Sequence, residues 1–118
     1  WSSDVCSSDL ARAIGDASAP DRAVLVDCLT LWLTNLMVAE RDLARAAREL
    51  EAALAGRRGP VVLVSNEVGA GVVPMNAMAR RFVDEAGRLH QRLARGATEV
   101  VLVTAGLVQT LKGVSGDG

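Results

Sequence analysis

The chain is poor in several residue types at once. It has no tyrosine, a single phenylalanine and two tryptophans, so aromatics make up 3% of its 118 residues. That is too few for the stacked aromatic platforms that bind single-stranded nucleic acid. Two cysteines cannot build a disulfide scaffold, and such sparse use points to a reducing compartment, here the cytoplasm. One histidine gives little material for a histidine-rich metal centre. Neither sign of charge dominates: 13 basic residues face 14 acidic ones, which removes the electrostatic case for nucleic acid. No apolar run approaches the ~18 residues of a membrane helix. What is abundant is hydrophobic content, 50% against 23% charged, the balance of a cored globular domain.

The chain also opens on Trp1 rather than methionine, and its first ten residues, WSSDVCSSDL, differ in character from the rest. They contain four serines, one tryptophan and one cysteine, and have neither the basic start nor the apolar run of a secretory signal. They back-translate to TGG AGT TCA GAC GTG TGC TCT TCC GAT CT plus one base, which resembles a sequencing adapter read in frame. Residues 1–10 are therefore expected to be an adapter-derived scar, to be set aside from fold reasoning. The remaining 108 residues carry 13 basic and 12 acidic groups, with Cys28 and Trp32 as their only cysteine and tryptophan.

Ala11 to Arg22 reads as a helix end and loop. Three apolar runs come after it: Ala23–Cys28 (AVLVDC), Val61–Ser65 (VVLVS) and Glu99–Thr104 (EVVLVT). None alternates with polar residues, the pattern of strands buried on both faces of a parallel sheet. Between the first two, Leu36, Leu43, Ala47, Leu50 and Leu54 make one stripe of a long helix over Leu31–Ala55, with Thr30 as its N-cap and Gly56 as its stop. Between the second and third, Phe82, Ala86, Leu89 and Leu93 make the inner stripe of a helix over Ala77–Arg95, capped by Asn76 and ended by Gly96. The order β-α-β-α-β, with crossovers of about thirty residues, predicts βαβ units. Gly106–Lys112 is a candidate last strand.

Ligands of parallel α/β sheets gather at the carboxy ends of the strands. The first strand brings Asp27, Cys28 and Thr30 there, and the second brings Ser65, Asn66 and Glu67, ahead of the glycine-bearing loop VGAGVVP. The third brings Thr104 and Gly106. An apolar strand ending in Asp27 is the pattern of a Walker B carboxylate holding Mg²⁺ beside nucleotide phosphates. Strand-end aspartates also merely cap helices, so both readings stand. Glu67 has the chemistry to bind metal or accept a proton, or to be an ordinary loop glutamate. Gly69 and Gly71 allow close backbone approach to a ligand or suit a plain turn. Arg80 lies within reach of a phosphate near the strand ends. Cys28 reads as a small core thiol, Trp32 and Phe82 as packing residues, and His90 as a partly buried structural histidine with no metal partner.

Val24–Met37 (VLVDCLTLWLTNLM), Val64–Phe82 (VSNEVGAGVVPMNAMARRF) and Asp84–Ala94 (DEAGRLHQRLA) resemble the bifunctional adenosylcobinamide kinase / adenosylcobinamide-phosphate guanylyltransferase family. The likeness runs from about Ala11 to Lys112. It implies a P-loop NTPase-like three-layer α/β sandwich with a mostly parallel sheet, truncated at its N-terminus. Residues 11–118 would be the C-terminal two-thirds of one kinase-like domain. It implies phosphorylation of adenosylcobinamide by ATP or GTP, then transfer of GMP from GTP through a GMP-histidine, giving adenosylcobinamide-GDP and pyrophosphate. Mg²⁺ and a trimeric homo-oligomer are implied as well. On this reading Asp27 and Glu67 are catalytic, with Asp27 at the metal, and Thr30, Ser65, Asn66, Gly69, Gly71 and Arg80 contact the nucleotide.

The sequence departs from the family pattern in three ways. The glycine-rich phosphate loop with its Lys and Ser or Thr is not in it, and its only lysine is Lys112. The nucleotidylated histidine is not matched by His90. Val83 and His90 stand where the family usually has Arg and Asn. These departures predict a chain without activity of its own. A non-catalytic α/β oligomerisation or binding module is the competing reading, and an unrelated nucleotide-binding α/β protein with a chance DCLT is a third.

Overall fold

The apolar runs AVLVDC and VVLVS become strands β1 (Val24–Asp27) and β2 (Val61–Val64) in a computed structural model that describes residues 9–69 and 75–113. They pair in parallel, with Val24 opposite Val61 and Asp27 opposite Val64. Ahead of them lies helix α1 (Leu10–Ala17), and between them α2 (Leu29–Val38) and α3 (Leu43–Ala55). After β2 come α4 (Ala77–Gly96), β3 (Val100–Thr104) and β4 (Leu107–Lys112). No described helix is long and apolar enough to cross a membrane.

The helical stripe expected over Leu31–Ala55 is buried as anticipated, with Leu36, Ala47 and Leu50 in the core, but it belongs to two helices. The break is a Schellman motif. Glu40 takes the left-handed conformation (φ 53°), its N–H donates to Met37 O at 3.1 Å, and Arg41 N donates to Leu36 O at 2.9 Å. Asp42 then caps α3, its side chain accepting from Arg45 N at 3.1 Å. Thr30 is not the N-cap of α2; Cys28 holds that position and Thr30 lies within the first turn. Gly56 and Asn76 act as expected, Gly56 as C-cap of α3 and Asn76 accepting from Ala79 N at 2.7 Å to open α4.

Residues from all four helices meet β1 in one core: Ile14, Val26, Leu29, Trp32, Leu50 and Leu89. Cross-strand partners share a face of a sheet, and side chains alternate between faces along each strand. Val24, Val26, Val61 and Leu63 turn to that core. Leu25, Asp27, Val62 and Val64 lie on the opposite face, where Leu25 is 54% and Val62 53% exposed. Burial of the strands on both faces is therefore corrected. The core-forming helix stripes all pack on one side of β1 and β2, so among the described residues the sheet is covered on one face.

The third strand is corrected too. β3 does not join β1 and β2 but pairs antiparallel with β4, Thr104 opposite Leu107. Ala105 (φ 53°) and Gly106 (φ 76°) form the link, the positive-φ pattern of a type I′ turn. A two-residue link can join only antiparallel strands. The last segment is thus a strand as expected, but a hairpin partner. Lys112 Nζ anchors this hairpin to the end of α4 by donating to Ala94 O (2.8 Å) and Arg95 O (3.0 Å). The chain is α/β and, among the described residues, holds a two-stranded parallel sheet and a separate antiparallel hairpin.

Candidate functional site

Because β1 and β2 are parallel and in register, the residues just past both strands reach the same edge of the molecule. Asp27 ends β1 opposite Val64, and Ser65, Asn66 and Glu67 come directly after Val64. Asp27 is exposed, and among the described residues its carboxylate has neither a hydrogen bond nor an ion pair. A carboxylate in that state is free to take a cation.

Thr30 is 7% exposed, in the first turn of α2. Its Oγ1 accepts from Asn66 Nδ2 at 3.0 Å and lies 3.3 Å from Cys28 Sγ. Its own carbonyl accepts from Thr34 Oγ1 at 2.8 Å. The Thr30–Asn66 bond spans the two strand ends and clasps them together. Glu67 has a different task from that of Asp27. Its Oε1 accepts from Gly69 N at 2.6 Å, closing a tight local turn. A Cβ on Gly69 would lie 3.0 Å from that same oxygen, the mobile end of an exposed side chain that has only to shift by a few tenths of an ångström.

The structure thus brings Asp27, Thr30, Ser65, Asn66, Glu67 and Gly69 to one edge. Arg80 is an exposed residue of the first turn of α4, and among the described residues its side chain forms no ion pair with the group. Gly71, with most of the VGAGVVP loop, lies outside the described residues. Thr104 and Gly106 are not delivered to this edge; they sit at the hairpin turn. Trp32 and Phe82 pack in the two apolar clusters, as packing residues should.

One partner is absent from the sequence reading. His90, half-buried in α4, places Nε2 2.6 Å from Ser65 Oγ. Twenty-five positions separate the two residues, and no local pattern links them. A second feature, an apolar crevice between α2, α3 and α4, lies apart from the strand ends and is lined by Trp32, Leu36, Leu43 and Arg88. Its rim charges are satisfied, Arg88 by Glu85 and Arg92 by Glu51.

Among the described residues no three acidic, histidine or cysteine side chains converge as a metal cage. Mg²⁺ is commonly held by one or two carboxylates, with waters completing its shell. Asp27, which has no partner among the described residues, has the chemistry for such a contact.

Comparison with known proteins places the chain in a family. Residues 1–111 match the family described as cobinamide kinase / cobinamide phosphate guanyltransferase. The chain is 47% identical over 107 residues to the bifunctional adenosylcobalamin biosynthesis protein CobP of Pseudomonas aeruginosa, covering 88% of this chain and 61% of that protein. It is 40% identical over 127 aligned positions to CobU of Salmonella typhimurium, a bifunctional adenosylcobalamin biosynthesis protein, covering 95% of this chain and 70% of the relative. For the protein of the same description from Escherichia coli K12 the identity is 37%, over 79% of this chain and 60% of the relative. The chain therefore spans about three-fifths to seven-tenths of the length of these relatives.

Proposed function

Since the chain belongs to the cobinamide kinase / cobinamide phosphate guanyltransferase family, we propose that it forms the strand-end half of a nucleotide site serving both reactions. In the first, the hydroxyl of adenosylcobinamide attacks the γ-phosphorus of ATP or GTP. The nucleoside diphosphate leaves and the hydroxyl proton is released. In the second, the new phosphate accepts GMP from GTP, giving adenosylcobinamide-GDP and pyrophosphate.

The observation that carries this reading is the pairing of Asp27, which has no partner among the described residues, with the clasped Thr30–Asn66 edge. Phosphoryl transfer depends mostly on positioning and charge stabilisation. Asp27 would hold Mg²⁺, which when bound neutralises charge on the phosphates. Thr30 and Asn66 keep the two strand ends at a set separation, while Ser65 presents a hydroxyl toward the same edge. Glu67 shapes the loop through Gly69 and keeps one oxygen for a second contact. Gly71 and Arg80 complete the proposed nucleotide contacts. The reading extends to a P-loop three-layer sandwich with a longer parallel sheet, to a homotrimer and to the cytoplasm, all of which rest on family resemblance.

No Gly-rich loop ending in Lys and Ser or Thr occurs in this sequence. Such a loop supplies the backbone N–H cradle and the lysine for the β- and γ-phosphates. We therefore expect the 118-residue chain alone to be inactive. The test uses the full-length protein that carries this segment. Asp27→Asn should lower the rate of adenosylcobinamide phosphorylation by about a hundredfold or more, the scale of a lost electrostatic contact in the transition state. Undiminished turnover would remove Asp27 from the mechanism.

A further inference from the structure

Ser65 and Asn66 are consecutive, yet each is tied to a different helix. Asn66 Nδ2 donates to Thr30 at the start of α2, and Ser65 Oγ meets His90 Nε2 in the middle of α4. We propose that His90 is a positioning residue of the nucleotide site, holding the Ser65 hydroxyl in the orientation that meets the phosphates. This rests on the nucleotide reading above.

The argument is one of proton count. A serine hydroxyl has one proton and two lone pairs, and phosphate oxygens only accept. A serine that faces phosphate must therefore donate its proton outward. Its remaining partner must then be a donor, which requires His90 to carry a proton on Nε2. Were Nε2 unprotonated, Ser65 would spend its proton on the histidine and turn a lone pair toward the anion. The half-buried ring thus decides whether Ser65 attracts or repels a phosphate. The two ties also remove rotational freedom from the loop before the ligand arrives, which lowers the ordering cost of binding.

The experiment is steady-state kinetics on the full-length protein with adenosylcobinamide and GTP, comparing His90→Ala, His90→Gln, Ser65→Ala and the double alanine variant. The wild-type protein serves as the control on the function itself, and Asp27→Asn as the control on Asp27. His90→Ala should raise KM for GTP roughly three- to tenfold, the worth of one hydrogen bond, with kcat within about twofold. His90→Gln places an amide nitrogen near the Nε2 position and should restore most of the affinity. In the Ser65→Ala background, His90→Ala should add nothing further, because the two act through one bond.

An unchanged KM in His90→Ala, or effects that simply add in the double variant, overturns the assignment, even if thermal stability falls. Should His90→Ala fail to fold, His90→Phe, which fills the space of the ring but offers Ser65 no donor, takes its place: a KM for GTP raised by about three- to tenfold supports the role, and an unchanged KM overturns it. A wild-type protein that does not phosphorylate adenosylcobinamide overturns the function reading and takes the His90 role with it, whereas an undiminished Asp27→Asn removes only Asp27.

Discussion

Asp27 and Glu67 are both carboxylates at or just beyond strand ends, but they are not equivalent. Glu67 spends an oxygen on Gly69 N–H, whereas Asp27 has no partner among the described residues. Residue type and position made both plausible ligands; only the contacts separate them. Trp32 shows a different tension. It is 5% exposed in the core, and its Nε1 finds no hydrogen-bond partner among the described residues. A buried donor without a partner costs free energy that its ring's packing must offset. Trp32→Phe should therefore change stability by less than about 1 kcal/mol, because lost contact area is balanced by removal of the orphan N–H. Trp32→Ala should cost about 3–5 kcal/mol through the cavity it leaves. Urea unfolding of the full-length protein checks both, and a large loss in the phenylalanine variant would show that the N–H is satisfied.

At the scale of elements, the stripe from Leu36 to Leu54 was legible because apolar spacing tracks burial. The break inside it was not, because spacing says nothing about φ. The Schellman turn puts Glu40 where glycine is usual, and no local residue announces it. A left-handed non-glycine residue is strained, so Glu40→Gly should raise stability by about 0.5–1 kcal/mol, seen as a higher urea midpoint at unchanged m-value. A drop would mean that Glu40's side chain makes a stabilising contact outweighing its backbone strain. The hairpin is a similar case. A Val/Leu run predicts a strand, but its partner depends on the chain reversal at Ala105–Gly106. The run therefore placed β3 correctly and paired it incorrectly.

At the scale of the whole molecule, apolar surface stays open on both sheets among the described residues. Leu25, Val62 and Val64 lie on the uncovered face of the parallel sheet, and Val103, Leu107 and Val108 are exposed on the hairpin. β1 and β2 also pair only with each other, which leaves their outer edges unsatisfied among the described residues. Contiguous exposed apolar surface favours association and loose packing. The isolated 118-residue chain should bind ANS strongly and melt over a broad range. A sharp, cooperative transition without dye binding would count against this.

Sequence alone determined where the strands and most helical faces lie, since burial leaves a period in the residue order, and it placed Asp27 and Ser65–Glu67 at strand ends. The long blocks around DCLT and SNEVG also carried the family resemblance. Tertiary structure decided the pairings. Thr30 joins Asn66 across 36 positions and Ser65 joins His90 across 25, while β3 turns away to β4. The physical reason is that a hydrogen bond is set by distance and angle in space. Residues far apart in the chain leave no periodic trace of the contact they will make.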